Sequence, residues 1–207
     1  RDFCLSRGLG DVYKRQTHFN DLFWDCSDRP THVIEHGIVD PGYRYTGELA
    51  ACAVVINEPL RRARVTGTDL LRKFESSVPV ELFGMGAGAQ GGYENLPQCL
   101  LHTEIARRRV YLHPIRWTSL GLALIEAMHL GMPVVALATT EVPEAVPDGT
   151  GIISTSVHTL IESLERLLKD PDRCKELGRN ARSHARTRYG LERFMRDWDR
   201  LFSEVLC

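Results

Sequence analysis

Short apolar runs alternate with helix-spaced apolar positions from residue 50 to the end of the chain. Ala53–Ile56 reads as a buried strand, Thr68–Ser76 as a short helix and Val78–Phe83 as a second strand running into a glycine-rich stretch. Leu96–Arg108 has helical spacing and Val110–Leu112 reads as strand. Ser119–Leu130 reads as an apolar helix stopped by Gly131 and Pro133. Val134–Ala138 and Gly151–Ser154 are the fourth and fifth strands, and amphipathic helices follow at 156–169, 171–189 and 191–205. This alternation predicts an α/β fold, a Rossmann-like parallel sheet with helices on both faces. Sheets of this kind bind ligands outside the carboxyl ends of their strands, which directs attention to 57–67, 84–95, 113–119 and 139–150.

Before residue 50 the pattern breaks. Residues 17–49 are polar, aromatic and turn-rich, with Pro30, Gly37, Pro41 and Gly42, and read as an interdomain linker segment. The expected organisation is therefore this linker, one domain over 50–190 and a closing helix over 191–207. Residues 1–16 (RDFCLSRGLGDVYKRQ) have no apolar periodicity and no signal-peptide core. Ser6–Gln16 resembles the translation of a transposon-based sequencing adapter. On that reading 1–16 is an artefact, disordered and outside the fold, and the natural chain starts inside a gene near Thr17.

Composition narrows the function classes. The 207 residues, 43% hydrophobic and 26% charged, are enough for a sizeable core. The net charge is −1; residues 1–16 carry +2, which leaves −3 for the rest and argues against a general nucleic-acid binder. The longest apolar run, Met132–Ala138, is far below the roughly 18 residues of a membrane span. Six Cys without a Cys-x-x-Cys pair and eight His without His-Glu-x-x-His point to reduced cytoplasmic thiols and no metal site. The length also excludes an enzyme of two complete nucleotide-binding domains.

Two loops carry candidate chemistry. Gly86-Ala87-Gly88-Ala89-Gln90-Gly91 has the Gly-x-Gly-x-x-Gly spacing after a strand. A dinucleotide reading would make the chain an oxidoreductase domain. Against it, Pro97 interrupts the expected helix and the next strand ends in Leu112-His113-Pro114 without a ribose-binding acid. The alternatives are a glycine loop lining a phosphate-bearing ligand and a plain surface loop. The second stretch, His113-Pro114-Ile115-Arg116-Trp117-Thr118-Ser119-Leu120-Gly121-Leu122, enters the apolar helix. Ser119 or Thr118 is expected to cap it, its free amides and dipole suit a diphosphate, and Gly121 admits close approach. Glu126 stands in the otherwise apolar Ala123–Met128, where a carboxylate needs a partner, a ligand or a partly exposed face.

Thr118–Gly151 (TSLGLALIEAMHLGMPVVALATTEVPEAVPDGTG) resembles the signature of nucleotide-sugar glycosyltransferases of GT-B architecture, whose donor domain carries Glu-x7-Glu. Glu126, Ala127, Met128, Gly131, Pro133, Val134–Ala136, Pro143, Glu144, Val146, Asp148, Gly149 and Gly151 follow its order. Val33–Asp40 and Thr66–Leu71 are similar to two further family segments. The resemblance implies a single donor-binding domain of a GT-B fold. It also implies transfer of a sugar from a nucleoside diphosphate, with retention of configuration and without a metal or other cofactor. Glu126 matches the second Glu, which binds the ribose; the first falls at Thr118, so Thr118 and Glu126 are the candidate catalytic pair. The family's diphosphate-binding Arg and Lys fall at Arg61 and Thr66, with Arg62 or Arg64 able to replace the lost charge; the cluster could equally be a solvated basic loop. Gly86, Gly88, His113, Ser119, Leu120, Gly121, Leu122 and Glu144 complete the expected donor site, Glu144 being also explicable as a helix cap. An unknown acceptor would be held by an N-terminal domain missing from this chain, which alone is expected to be inactive. A non-catalytic nucleotide-sugar-binding relative, motivated by Thr66 and Thr118, is the second reading.

Overall fold

The computed structural model describes residues 13–206. In chain order the elements are β1 (Tyr13–Arg15), α1 (His18–Phe23), β2 (Thr31–Val33), β3 (Leu49–Val55), α2 (Pro59–Arg62), α3 (Thr68–Glu75), β4 (Val80–Gly84), β5 (Tyr93–Glu94), α4 (Gln98–Arg107) and β6 (Arg108–His113). They continue as α5 (Leu122–Leu130), β7 (Val134–Leu137), α6 (Val142–Ala145), β8 (Gly151–Ser154), α7 (Val157–Leu167), α8 (Pro171–Tyr189) and α9 (Leu191–Leu206). Single 3-10 turns occupy Ala63–Thr66 and Ala87–Gln90.

The chain divides into two compact units, Pro41–Ala185 and a second made of the N-terminal part to Asp40 with Arg186 onward. In the larger unit the six strands of one sheet run parallel in the order β5-β4-β3-β6-β7-β8. The chain steps outward from β3 to β5, returns to β6 beside β3, and steps outward the other way. The reversal creates a crevice at the carboxyl ends of β3 and β6. Right-handed crossovers place helices made on opposite steps on opposite faces; α4 and α5 pack together on one of them. The central strands are buried on both faces, as parallel sheets require: Cys52, Ala53 and Val54 of β3, Val110, Tyr111 and Leu112 of β6, and Val134, Val135 and Ala136 of β7 are all 0% exposed.

Three boundaries differ from expectation. Helix α5 starts at Leu122 rather than Ser119: residues 118–121 are non-helical, with a bend at Ser119 and extended backbone at Gly121 (φ −81°, ψ 126°). The sheet unit begins at Pro41 rather than 50 and ends at Ala185 rather than 190. Its first residues are a strap: the Arg44 and Tyr45 amides donate to the Leu130 carbonyl, and the buried Tyr45 hydroxyl donates to the Arg109 carbonyl at 2.8 Å. Polar and turn residues hid this strap because its bonds go to distant carbonyls rather than to a neighbouring strand.

The smaller unit contains order where a linker and a disordered start were expected. Tyr13–Arg15 pairs in parallel with Thr31–Val33, and the Lys14 ammonium lies 5.6 Å from the Trp198 ring centroid. Disorder therefore does not extend to residues 13–15; residues 1–12 of the adapter-like stretch lie outside the described ones. Arg188 on α8 bridges Glu35 (Nε–Oε1 3.0 Å), and Arg193 on α9 donates to the Glu35 and His36 carbonyls.

Candidate functional site

The crevice at the switch point is walled by the loop 56–67 after β3 and the loop 114–121 after β6. Some of the chain's backbone strain lies at the carboxyl ends of the strands. Glu58 (φ 53°), Ala63 (φ 39°) and Thr140 (φ 51°) take the left-handed region without being glycine, after β3 and β7. Gly67 (φ 74°) lets the two loops touch: a Cβ there would collide with the Pro114 carbonyl oxygen. The Arg116 and Trp117 amides then donate to the Val65 carbonyl at 3.0 and 3.1 Å.

The arginines are distributed unevenly over this frame. Arg61 is 70% exposed and pairs with Glu58, whose carboxyl is held low chiefly by that hydrogen bond. Arg62 is half-buried and acts on Glu58 only through space. Arg64, 79% exposed, lies 3.5 Å from Asp69. Thr66, at the position of the lost Lys, is fully buried, with its Oγ1 3.3 Å from the Ala63 carbonyl and 3.1 Å from Thr68 Oγ1. It locks the turn from within, with its hydroxyl turned to Ala63 and Thr68.

The loop into α5 ends in an uncapped helix. Gly121 is the N-cap residue, with no side-chain hydrogen bond, so neither Thr118 nor Ser119 caps it. Both are half-buried; the Ser119 carbonyl takes the Glu141 amide at 3.3 Å, and Thr139 Oγ1 donates to the Ile115 carbonyl at 2.8 Å. Leu120 is buried below the turn and Leu122 is half exposed above it. His113, at the end of β6, is 2% exposed, and its Nδ1 has no hydrogen-bond partner. Burial pushes the ring down to about 4, so it is neutral at pH 7. A Cβ on Gly121 would stand 2.9 Å from His113 Cε1, so the helix start rests directly on the imidazole.

Glu126 is paired rather than bare. Gln98 Nε2 of α4 donates to its Oε1 at 3.0 Å, and His102 Nε2 stands 3.3 Å from Oε2, an ion-pair separation outside hydrogen-bond geometry. Its negative charge also helps burial hold the Tyr111 phenol protonated. Glu144 is exposed in the first turn of α6, where a carboxylate suits the helix dipole.

The glycine loop is spent internally. The Gly86 and Gly88 amides donate to the two carboxylate oxygens of Glu94, at 2.6 and 2.8 Å, and these bonds hold the carboxyl below its usual range. The anion place that the glycine spacing offers is taken up by the chain's own carboxylate. Sequence reasoning missed Glu94, Gln98, His102, Asp69 and Arg116. Only the last two stood inside motifs already singled out.

Residues 89–184 match the family model for glycosyl transferases group 1. Trehalose synthase of Rubrobacter xylanophilus is 33% identical over 86 residues, 42% of this chain and 21% of that protein. D-inositol 3-phosphate glycosyltransferase of Gordonia bronchialis is 43% identical over 75 residues, 35% of this chain and 16% of that protein. Among solved structures, sucrose-phosphate synthase of Thermosynechococcus elongatus superposes with a TM-score of 0.80 at 18% identity, over 95% of this chain and 58% of that one. HepE of Anabaena, in complex with UDP-glucose, superposes with a TM-score of 0.67 at 16% identity, over 84% of this chain and 57% of that one. The chain thus covers less than two thirds of each of these relatives. Residues 89–184 are similar to the glycosyl transferases group 1 family, and the chain shares the Rossmann-like α/β fold of these solved structures.

Proposed function

We propose that the sheet unit binds the nucleoside diphosphate of an activated sugar and is the donor half of a glycosyltransferase. The observation that carries this reading is the uncapped start of α5 at the end of a loop that touches the basic loop, at the carboxyl ends of β3 and β6. Backbone amides and guanidinium groups there would stabilise the charge that develops on a departing diphosphate. Glu126, steadied by Gln98 and His102, is the acceptor for ribose hydroxyls, and Thr118 stands where a carboxylate would otherwise meet the sugar. Transfer with retention, without a metal, and an acceptor held by polypeptide outside this chain belong to the same proposal. A nucleotide-sugar donor agrees with the UDP-glucose of the HepE complex. Free thiols at Cys26, Cys52, Cys99 and Cys174 suit a cytoplasmic setting, and no helix among the described residues is long and apolar enough to cross a membrane.

Calorimetric titration of the chain with UDP, GDP and NAD tests the site. Saturable binding of a nucleoside diphosphate and none of NAD is expected, and the reverse order would restore the oxidoreductase reading. Thr118 also favours a second reading, a sugar-nucleotide binder without transferase activity. A full-length protein that binds donor but neither hydrolyses nor transfers it would establish that one. The product's anomeric configuration, read by NMR, tests retention.

A further inference from the structure

The two walls of the crevice are joined by one carboxylate. Arg116 holds Asp69 with both arms of its guanidinium, Nη2 to Oδ2 at 3.0 Å and Nη1 to Oδ1 at 2.5 Å, and its Nη1 also donates to the Arg64 carbonyl at 2.9 Å. These bonds add to the two amides on Val65 and the contact of Gly67 with Pro114. Asp69 opens α3 and Arg116 lies in the loop before α5, so the pair ties the basic loop to the helix start. The same carboxylate carries Arg64 by a single looser contact at 3.5 Å. Both arginines hold the Asp69 carboxyl below its usual range, Arg116 the more strongly.

We propose that Asp69 and Arg116 are positioning residues for diphosphate binding, and that Arg64 is the arm they release. The proposal rests on the donor-site reading above. Arg116 stays on Asp69, because a two-pronged pair is the stronger and more directional one. Arg64 turns to the incoming phosphate while the carboxylate remains neutralised. Arg64 therefore supplies the second cation that Thr66 cannot.

Charge alone and positioning predict opposite signs. Removing a carboxylate beside an anion site strengthens anion binding if only the field matters. If Asp69 positions the loops, its loss weakens binding. The experiment is UDP and GDP titration of the whole chain as wild type, Asp69→Asn, Arg116→Lys and the double variant, with amide hydrogen exchange on each. Asp69→Asn is expected to raise the dissociation constant about fivefold, the scale of a partly exposed ion pair. The Arg116 and Trp117 amides are expected to exchange faster while those of β6 stay protected. The double variant is expected to bind no more weakly than the worse single one. Should Asp69→Asn lose protection throughout β6, Asp69→Glu, which displaces the carboxylate by one methylene, takes its place with the same expectation. Unchanged or tighter UDP binding by a folded variant overturns the proposal. A wild-type chain that binds neither UDP nor GDP overturns the donor-site reading itself.

Discussion

Two strand-end loops of the sheet unit carry glycines, free backbone amides and sequences suited to phosphate, yet they end in opposite states. After β4, the amides of Gly86 and Gly88 close on Glu94, eight and six residues further on. After β6, the start of α5 receives no side-chain hydrogen bond, and the neighbouring basic loop keeps its carboxylates, Glu58 and Asp69, on arginines. The glycine spacing is the better-known motif, and it is the one the chain has satisfied for itself. What separates the loops is the residue that follows: Glu94 sits on the short β5 that returns beside β4, within reach of its own turn. No such strand follows β6, where the loop 114–121 leads into a helix. Amide geometry makes an anion site possible, and amides that no internal carboxylate has taken up leave it available.

The comparison breaks most severely at Gly121. A valine there puts a Cβ 2.9 Å from His113 Cε1, on a buried ring with no room to withdraw, and adds two methyl groups beyond it. Gly121→Val is expected to cost about 1–3 kcal/mol of stability by overpacking. It is also expected to abolish UDP binding detectable by calorimetry, because the α5 amides move with the turn. A variant that still binds UDP with wild-type affinity would remove α5 from the site.

His113 sharpens the comparison next. Unfolded, it takes up a proton near pH 6.5; folded, only near about 4, since burial disfavours the charged ring. Between those values the unfolded chain binds more protons. Stability is therefore full above about pH 6.5, falls as pH falls towards about 4, and levels below that. The effect reaches about 3 kcal/mol at most. Urea denaturation from pH 7.5 to 4 should show the decline, and His113→Gln should flatten it. A His113→Gln curve with the wild-type slope would assign the decline to other groups.

The β-α alternation, most of the strands and the position of the crevice were legible in the chain, because buried parallel strands must be apolar and the helices between them amphipathic. Two kinds of residue were not. Arg116 and Asp69 are 47 positions apart, and nothing in either local pattern signals that a loop crossing will bring them together. Thr66 reads as a lost ligand when aligned to a motif, yet its hydroxyl is used inside the 3-10 turn. Glu126 lies between these cases. Its cost in an apolar helix was visible from sequence, and its partners Gln98 and His102 were not, since they lie on a helix whose orientation only the fold supplies.

The smallest expected effect is the most informative about the two loops. Glu94→Ala removes the internal anion and leaves the Gly86 and Gly88 amides open to solvent. If the loop after β4 is only a self-closed turn, UDP affinity stays within about twofold of wild type, as for a surface change away from the site. If that loop is a second phosphate cradle kept shut by its own carboxylate, opening it makes UDP or free pyrophosphate bind more tightly. Amide exchange separates the outcomes at residue level. Faster exchange at Gly86 and Gly88 without ligand must appear in either case, because the bonds to Glu94 are gone. Protection regained there on adding UDP would show the cradle to be real. Without it, the anion site belongs to α5, and the glycine spacing in this chain serves to seat Glu94.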